Sequence, residues 1–335
     1  MSLLHPTRRQ VLAGILATSA PAALASPFFT PSAALAQDKA KLSVAWNTGA
    51  ICGAPVAAAK ASGIFDKNNL DVEFINFAGS TEQMLESIAT GKADVGIGMA
   101  LRWLKPLEQG FDVKIIAGLH AGCLRLLSTR DSGVTKLEDL KGKVVAVSDL
   151  ASPSKHFFAI QLAKLGLDPE NDIDWRVYPG ELLGAVVERG EAQAIAHWDP
   201  LTYQFLKSDK FIELGSNMEG EYANRACCIV GVRQALLEEQ PQAIQALLRS
   251  LFEAQKLSVE HPQVAAEAYQ PFSPNTPIED LIAQISYHGH GHYPSGNALK
   301  EELAQFTADL KNIGVIRNRT DPVKFAEQIY AEVNI

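Results

Sequence analysis

Three histidines, His288, His290 and His292, alternate with glycine in the stretch YHGHGHYPSG at 287–296. Alternate side chains of an extended segment share a face. Three imidazoles so placed could supply three ligands to a borderline metal, leaving water or a substrate as the fourth. The same stretch also suits a glycine-rich connection between helices expected at 277–286 and 298–310, and on that reading no metal ligand is assigned to it. Four cysteines add further chemistry: Cys52, Cys123, Cys227 and Cys228. No C-x-x-C spacing occurs, and Cys227-Cys228 lies in the apolar run ACCIVGV, where buried thiols are the common outcome. Cys52 and Cys123 each follow an expected strand. With His120 they could form a soft-ligand cluster, or they could pair as a disulfide. No G-x-S-x-G, P-loop or H-E-x-x-H pattern points to a catalytic class, and no catalytic residue is assigned.

The elements that must position these groups alternate short apolar runs with amphipathic stretches, the pattern of an α/β protein with mainly parallel sheets. KLSVAWN (41–47), LDVEFINFA (70–78), DVGIGM (94–99) and VKIIAGL (113–119) read as strands, with helices between them. A second series contains strands near 143–147, 174–179 and 192–198, and a strongly amphipathic helix at 152–166. In open parallel sheets, ligands bind beyond the carboxyl ends of the strands, where loops turn into helix N-termini. That rule selects Asn47, Cys52, Ser80, Thr81, Met99 and His120 in the first series, and Ser152, Ser154, Trp198 and Asp199 in the second, as ligand-binding candidates. The hydroxyls serve equally well as plain helix caps. Trp198 could cover an apolar ligand face. Asp199 could orient a donor or cap a helix that has Pro200 at its first position. His120, Arg125, Lys155 and His156 are the available cations, and no arginine is assigned to a strand end.

The first 36 residues read as an export segment rather than as fold. Arg8 and Arg9 precede an apolar stretch from Val11 to Ala17, and Ala34-Leu35-Ala36 fits a cleavage site. The arginine pair directly before the apolar run fits a twin-arginine signal, and the run is shorter than the roughly 20 apolar residues of a membrane span. Removing residues 1–36 takes away two arginines and no acid, so the remaining 299 residues carry −10 instead of −8. An acidic chain without basic clusters argues against nucleic acid or anionic membrane as partners. No cysteine follows the cleavage pattern, so a free, soluble, monomeric periplasmic protein without a bound cofactor is expected.

Several stretches carry a resemblance: GKADVGIGM, KLEDLKGKVVAV, SPSKHFFAIQLAKLGL, ERGEAQAIAHWDPLTYQFL and LAQFTADLKNIGVI. They resemble the periplasmic solute-binding proteins of ABC importers for nitrate, sulfonates, taurine and thiamine precursors, over nearly the whole chain after residue 36. The resemblance implies a two-lobed periplasmic binding protein fold of the type II-like kind, closing over a small-molecule solute and delivering it to a membrane permease. Lobe one would hold residues 38–125 and 226–335 and lobe two residues 126–225. A two-stranded hinge would cross near Leu124–Ser128 and Arg225–Val230. The same fold also implies a competing reading, because thiamine-pyrimidine synthases are similar to these binding proteins and use histidines, cysteines and iron. A receptor for a metal, or for a metal-bound ligand, using the His288, His290 and His292 loop is a further alternative.

Overall fold

The short apolar runs of the sequence fold as strands in two five-stranded sheets, each covered by helices. This computed structural model describes residues 38–77 and 81–335, so the expected export segment and Ser80 lie outside the described residues.

The first sheet contains β1 (Ala40–Trp46), β2 (Leu70–Asn76), β3 (Val95–Met99), β4 (Val113–Ala121) and β10 (Ala226–Arg233), in the order β2-β1-β3-β10-β4. The second contains β5 (Leu124–Thr129), β6 (Val144–Val147), β7 (Asp174–Val177), β8 (Ala194–Trp198) and β9 (Phe211–Ser216), in the order β7-β6-β8-β5-β9. Both sheets are mixed. β10 runs antiparallel to β3 and β4, and β5 runs antiparallel to β8 and β9, while the remaining pairs are parallel. Each reversed strand is the one that enters its sheet directly after the chain has crossed from the other sheet.

The first crossing is only Gly122 and Cys123, between β4 and β5; the second spans residues 217–225, between β9 and β10. Gly122 has φ +69°, and a Cβ there would stand 2.4 Å from Met218 Cγ, so both backbone conformation and space call for glycine. Asn217 ties the crossings together: its Oδ1 accepts from the backbone N–H of Cys123 at 2.9 Å and of Leu124 at 2.7 Å.

Around the first sheet lie α1 (Ala54–Ala61), α2 (Ile64–Lys67), α3 (Thr81–Ala89) and α4 (Ala100–Glu108). The second sheet carries α5 (Pro153–Lys164), α6 (Leu183–Glu188) and α7 (Leu201–Leu206). After β10 the chain is helical: α8 (Gln234–Glu239), α9 (Pro241–Glu260), α10 (Pro262–Tyr269), α11 (Ile278–Tyr287), α12 (Gly296–Asn312) and α13 (Pro322–Ile329). This tail packs on the first lobe. The buried small side chains of α1, Ala54 and Ala57 to Ala59, let α9 and α10 approach it closely. The sequence suggests a strongly amphipathic helix for α5, but the structure buries most of it: Pro153, Ser154, His156 to Ile160 and Leu162. The physical reason is its place between the lobes, where it touches β5 and β8 of its own lobe and α4 and α12 of the other.

The lobes are in contact across the cleft. His156 Nδ1 stands 3.1 Å from the Leu101 carbonyl, Ile51 N–H donates to the Asp199 carbonyl at 3.2 Å, and Trp198 Nε1 donates to the Gly49 carbonyl at 3.3 Å. Lys207 pairs with Asp280 at 2.6 Å, and Arg102 pairs with Asp149. Among the described residues no helix is long and apolar enough to cross a membrane.

Candidate functional site

The carboxyl ends of β1 and β3 and the start of α4 meet the end of β8 and the start of α5. They border a small pocket whose walls include Trp46, Phe77, Trp103 and Trp198. Such an aromatic, mostly apolar lining with a few placed polar groups is typical of small-molecule sites. Beside it lies a more polar cleft space that shares Asn47, Arg102 and Trp198 with the pocket and adds Ser148, Glu181 and His197.

Arg102 is the main cation of this region. It sits in the first turn of α4, three residues beyond the end of β3, and its side chain is 11 % exposed. One terminal nitrogen pairs with Asp149 from the other lobe, while its Nε is buried and without a partner among the described residues. Trp46 Nε1 is likewise buried and unpartnered. Unsatisfied buried donors cost about 1–3 kcal/mol each, so both are poised for a ligand acceptor. His197 stacks on Trp198 with ring centroids 3.8 Å apart, and its Nδ1 lies 3.4 Å from Ser148 Oγ. Burial lowers its pKa to about 3, so it faces the cleft as a neutral ring.

The sequence candidates divide between the pocket and its surroundings. Asn47, Cys52, Met99 and Trp198 line the pocket together. Thr81 opens α3. Ser152 caps α5, its Oγ accepting from Lys155 N–H at 3.1 Å, and Ser154 is fully buried with an unpartnered hydroxyl. Lys155 pairs with Glu170.

Asp199 is fully buried next to the first crossing, its backbone N–H donating to the Cys123 carbonyl at 3.0 Å. Its carboxylate accepts from Arg125 Nε at 3.0 and 3.1 Å, Thr202 Oγ1 at 2.6 Å, Tyr287 OH at 3.0 Å and His288 Nε2 at 3.0 Å. Burial works against its charge, but His288, Arg125 and Thr202 outweigh that and hold its pKa at about 2. Pro200 precedes α7, which starts at Leu201, and the acid joins the lobes rather than lining the pocket.

The three histidines of 287–296 do not converge. His288 bonds Asp199, His290 Nδ1 lies 3.0 Å from Gln255 Oε1, and His292 Nε2 lies 2.8 Å from Glu302 Oε1. A backbone bridge between Gly289 and Ala121 fixes the turn against β4, and this brings the His290 ring within 5.4 Å of His120.

The four cysteines, distant in sequence, come together. All are free and buried. Cys228 Sγ lies 3.4 Å from Cys52 Sγ, and Cys123 Sγ 3.6 Å from Cys227 Sγ. Hydrogen bonds from neighbouring thiols hold Cys52 and Cys227 well below the usual thiol range, with His120 adding to the effect. Cys123 and Cys228, which donate those bonds, are pushed up. Burial alone would depress His120, but the adjacent sulfurs of Cys52 and Cys227 bring it to about 9. One ligand atom from each of Cys52, His120 and Cys228 lies within 4.8 Å of the other two.

A family profile described as NMT1/THI5 like matches residues 53–265. A curated protein of Candida albicans (strain WO-1), 4-amino-5-hydroxymethyl-2-methylpyrimidine phosphate synthase, is 25 % identical over 245 residues, covering 66 % of this chain and 67 % of its own. Among solved structures, the alkanesulfonate-binding protein SsuA from Xanthomonas axonopodis pv. citri, bound to MOPS, superposes with a TM-score of 0.74 at 16 % identity, over 89 % of this chain and 100 % of its own. The periplasmic nitrate-binding protein NrtA from Synechocystis PCC 6803 superposes with a TM-score of 0.70 at 16 % identity, over 88 % and 86 %. The fold is therefore the two-lobed α/β fold of periplasmic binding proteins.

Proposed function

The chain belongs to the NMT1/THI5-like family, and from that membership we propose that it is an exported, monomeric solute-binding protein that hands a small molecule to an ABC permease. The observation that carries this reading is the shared ownership of the pocket. Asn47, Trp46 and Arg102 come from one lobe, Pro153 and Trp198 from the other, so an occupant is fully enclosed only when the lobes meet. Two lobes on a hinge can exchange an open form for a closed, liganded one, and a permease can tell the two apart. The wall chemistry favours a solute with a flat or apolar body for the tryptophans, and an acceptor or anionic group for Arg102. The sulfonate- and nitrate-binding relatives in fold support the anionic part.

A second reading is an enzyme. It is favoured by the synthase relative and by thiols and an imidazole gathered at the pocket floor. One experiment separates the two: calorimetric titration and thermal shift with sulfonates, nitrate, pyrimidines and aromatic acids, followed by mass analysis of each mixture. Saturable one-to-one binding with a raised melting temperature and an unchanged ligand is expected. Conversion of a bound compound to product would overturn the binding-protein reading in favour of the enzyme.

A further inference from the structure

We propose that Cys52, His120 and Cys228 hold a zinc ion at the floor of the pocket, with its fourth coordination position facing the solute. Three elements deliver the ligands. Cys52 sits in the short turn Ile51–Gly53, His120 on β4 and Cys228 on β10. The register of β10 against β4 sets Cys228 directly opposite His120, so the two side chains leave the same face of the sheet. The two sulfurs are 3.4 Å apart. Two thiolates bound to one tetrahedral zinc at about 2.3 Å stand about 3.8 Å apart, so the sulfur pair needs a shift of only a few tenths of an ångström to accept the metal.

The imidazole is oriented as a ligand. His120 Nδ1 lies 3.2 Å from the Ala121 carbonyl, and donating there leaves Nε2, which is buried and has no hydrogen-bond partner among the described residues, as the atom that binds the metal once its proton has left. A ring N–H held by a backbone carbonyl is the usual support of a metal-binding histidine. Charge selects a divalent ion, and a sulfur-rich set with one imidazole and room for a tetrahedral fourth ligand selects zinc among them. Zn²⁺ with two thiolates and one neutral imidazole sums to zero, which avoids the cost of an unbalanced charge in a buried site. On binding, the two protons shared among Cys52, Cys228 and His120 leave to solvent, each sulfur and the imidazole nitrogen give a lone pair to the metal, and no electrons are exchanged.

Cys52 and Cys228 line the pocket, whereas His120 stands behind them. Three protein ligands leave a fourth position, and the open side is the pocket side. This places a Lewis acid against whatever the pocket holds and favours solutes with a thiol, nitrogen or carboxylate donor. That half of the inference rests on the pocket being the solute site.

The test uses the reduced, metal-free chain titrated with Co²⁺ and then displaced by Zn²⁺. One Co²⁺ per chain, with thiolate-to-metal charge-transfer absorption and tetrahedral visible bands, is expected. Cys52→Ser, His120→Ala and Cys228→Ser should each weaken binding by more than the ~10–100-fold that loss of an outer partner costs. Cys123→Ser and His292→Ala should keep it. Because ligand variants can misfold, the wild-type chain is also alkylated with and without Zn²⁺: protection confined to Cys52 and Cys228 supports the site. Binding untouched by those variants, protection of other cysteines, or a Cys52–Cys228 disulfide in the exported protein would overturn it. Azide added to the Co²⁺ form reads the open position, and unchanged visible bands would refute that half. A failed solute screen leaves each of these metal readouts intact, so the two proposals fail separately.

Discussion

Asp199 is a buried carboxylate whose neighbours converge from both lobes, with Arg125 and Thr202 on one side and Tyr287 and His288 on the other. Removing one partner of a buried ion pair strands the other, at a cost of about 3–5 kcal/mol. Asp199→Asn should lower the urea-unfolding free energy by that order at pH 7. The pH dependence has a defined sign. The folded carboxyl sits at about 2, below the ordinary value of about 3.9, so its stabilisation is complete above pH 4 and is lost as pH falls towards 2. Urea titrations should therefore show a narrower gap between wild type and Asp199→Asn at pH 3 than at pH 7, by about half of this contribution. Arg102 sits at the pocket instead. A hydrogen bond to a charged group is worth about 1.5–3 kcal/mol, so Arg102→Ala should weaken binding of an anionic solute about 10- to 150-fold. Its melting temperature without solute should stay close to wild type.

At the level of elements, α5 and the first crossing are the sensitive points. His156 on α5 and His197 on β8 are kept neutral by burial, at about 4 and about 3. Their folded values lie below the unfolded one, so stability declines as pH drops below about 6.5, by up to ~1.4 kcal/mol per pH unit for each ring. A melting series from pH 7 to pH 4 should show that decline, and His156→Gln should flatten it. Gly122→Ala should cost about 1–2 kcal/mol for the left-handed backbone alone, with the Met218 clash adding to it, read as a lower urea midpoint. Much of this was legible in the sequence. The runs of β1, β3 and β8, and the strand-end rule, lead directly to Asn47, Cys52, Met99 and Trp198. What escaped depends on long-range pairing. Arg102 lies one helical turn past the strand end at which that rule stops, and the burial of most of α5 comes from a lobe that its own residues do not encode. The cysteine cluster needs the register between β4 and β10, which no spacing between residues 52, 120 and 228 reveals. The histidine loop shows the opposite failure: His288, His290 and His292 look like one site and serve three separate partners.

At the scale of the molecule, two sheets share a chain that leaves the first lobe and later returns. β4 has no strand partner in its sheet other than β10, and β10 fills the gap between β3 and β4. All strands of the second sheet, by contrast, lie in one continuous stretch from Leu124 to Ser216. The order of synthesis follows. As the chain emerges from the ribosome, the second lobe has everything it needs while the first is still an incomplete sheet with β3 and β4 unjoined. Only when residues 226–233 arrive can the earlier strands be knitted together, and the helices of the tail must follow to cover them. The part made first is thus finished last, and that interval is when a holding chaperone would find its substrate.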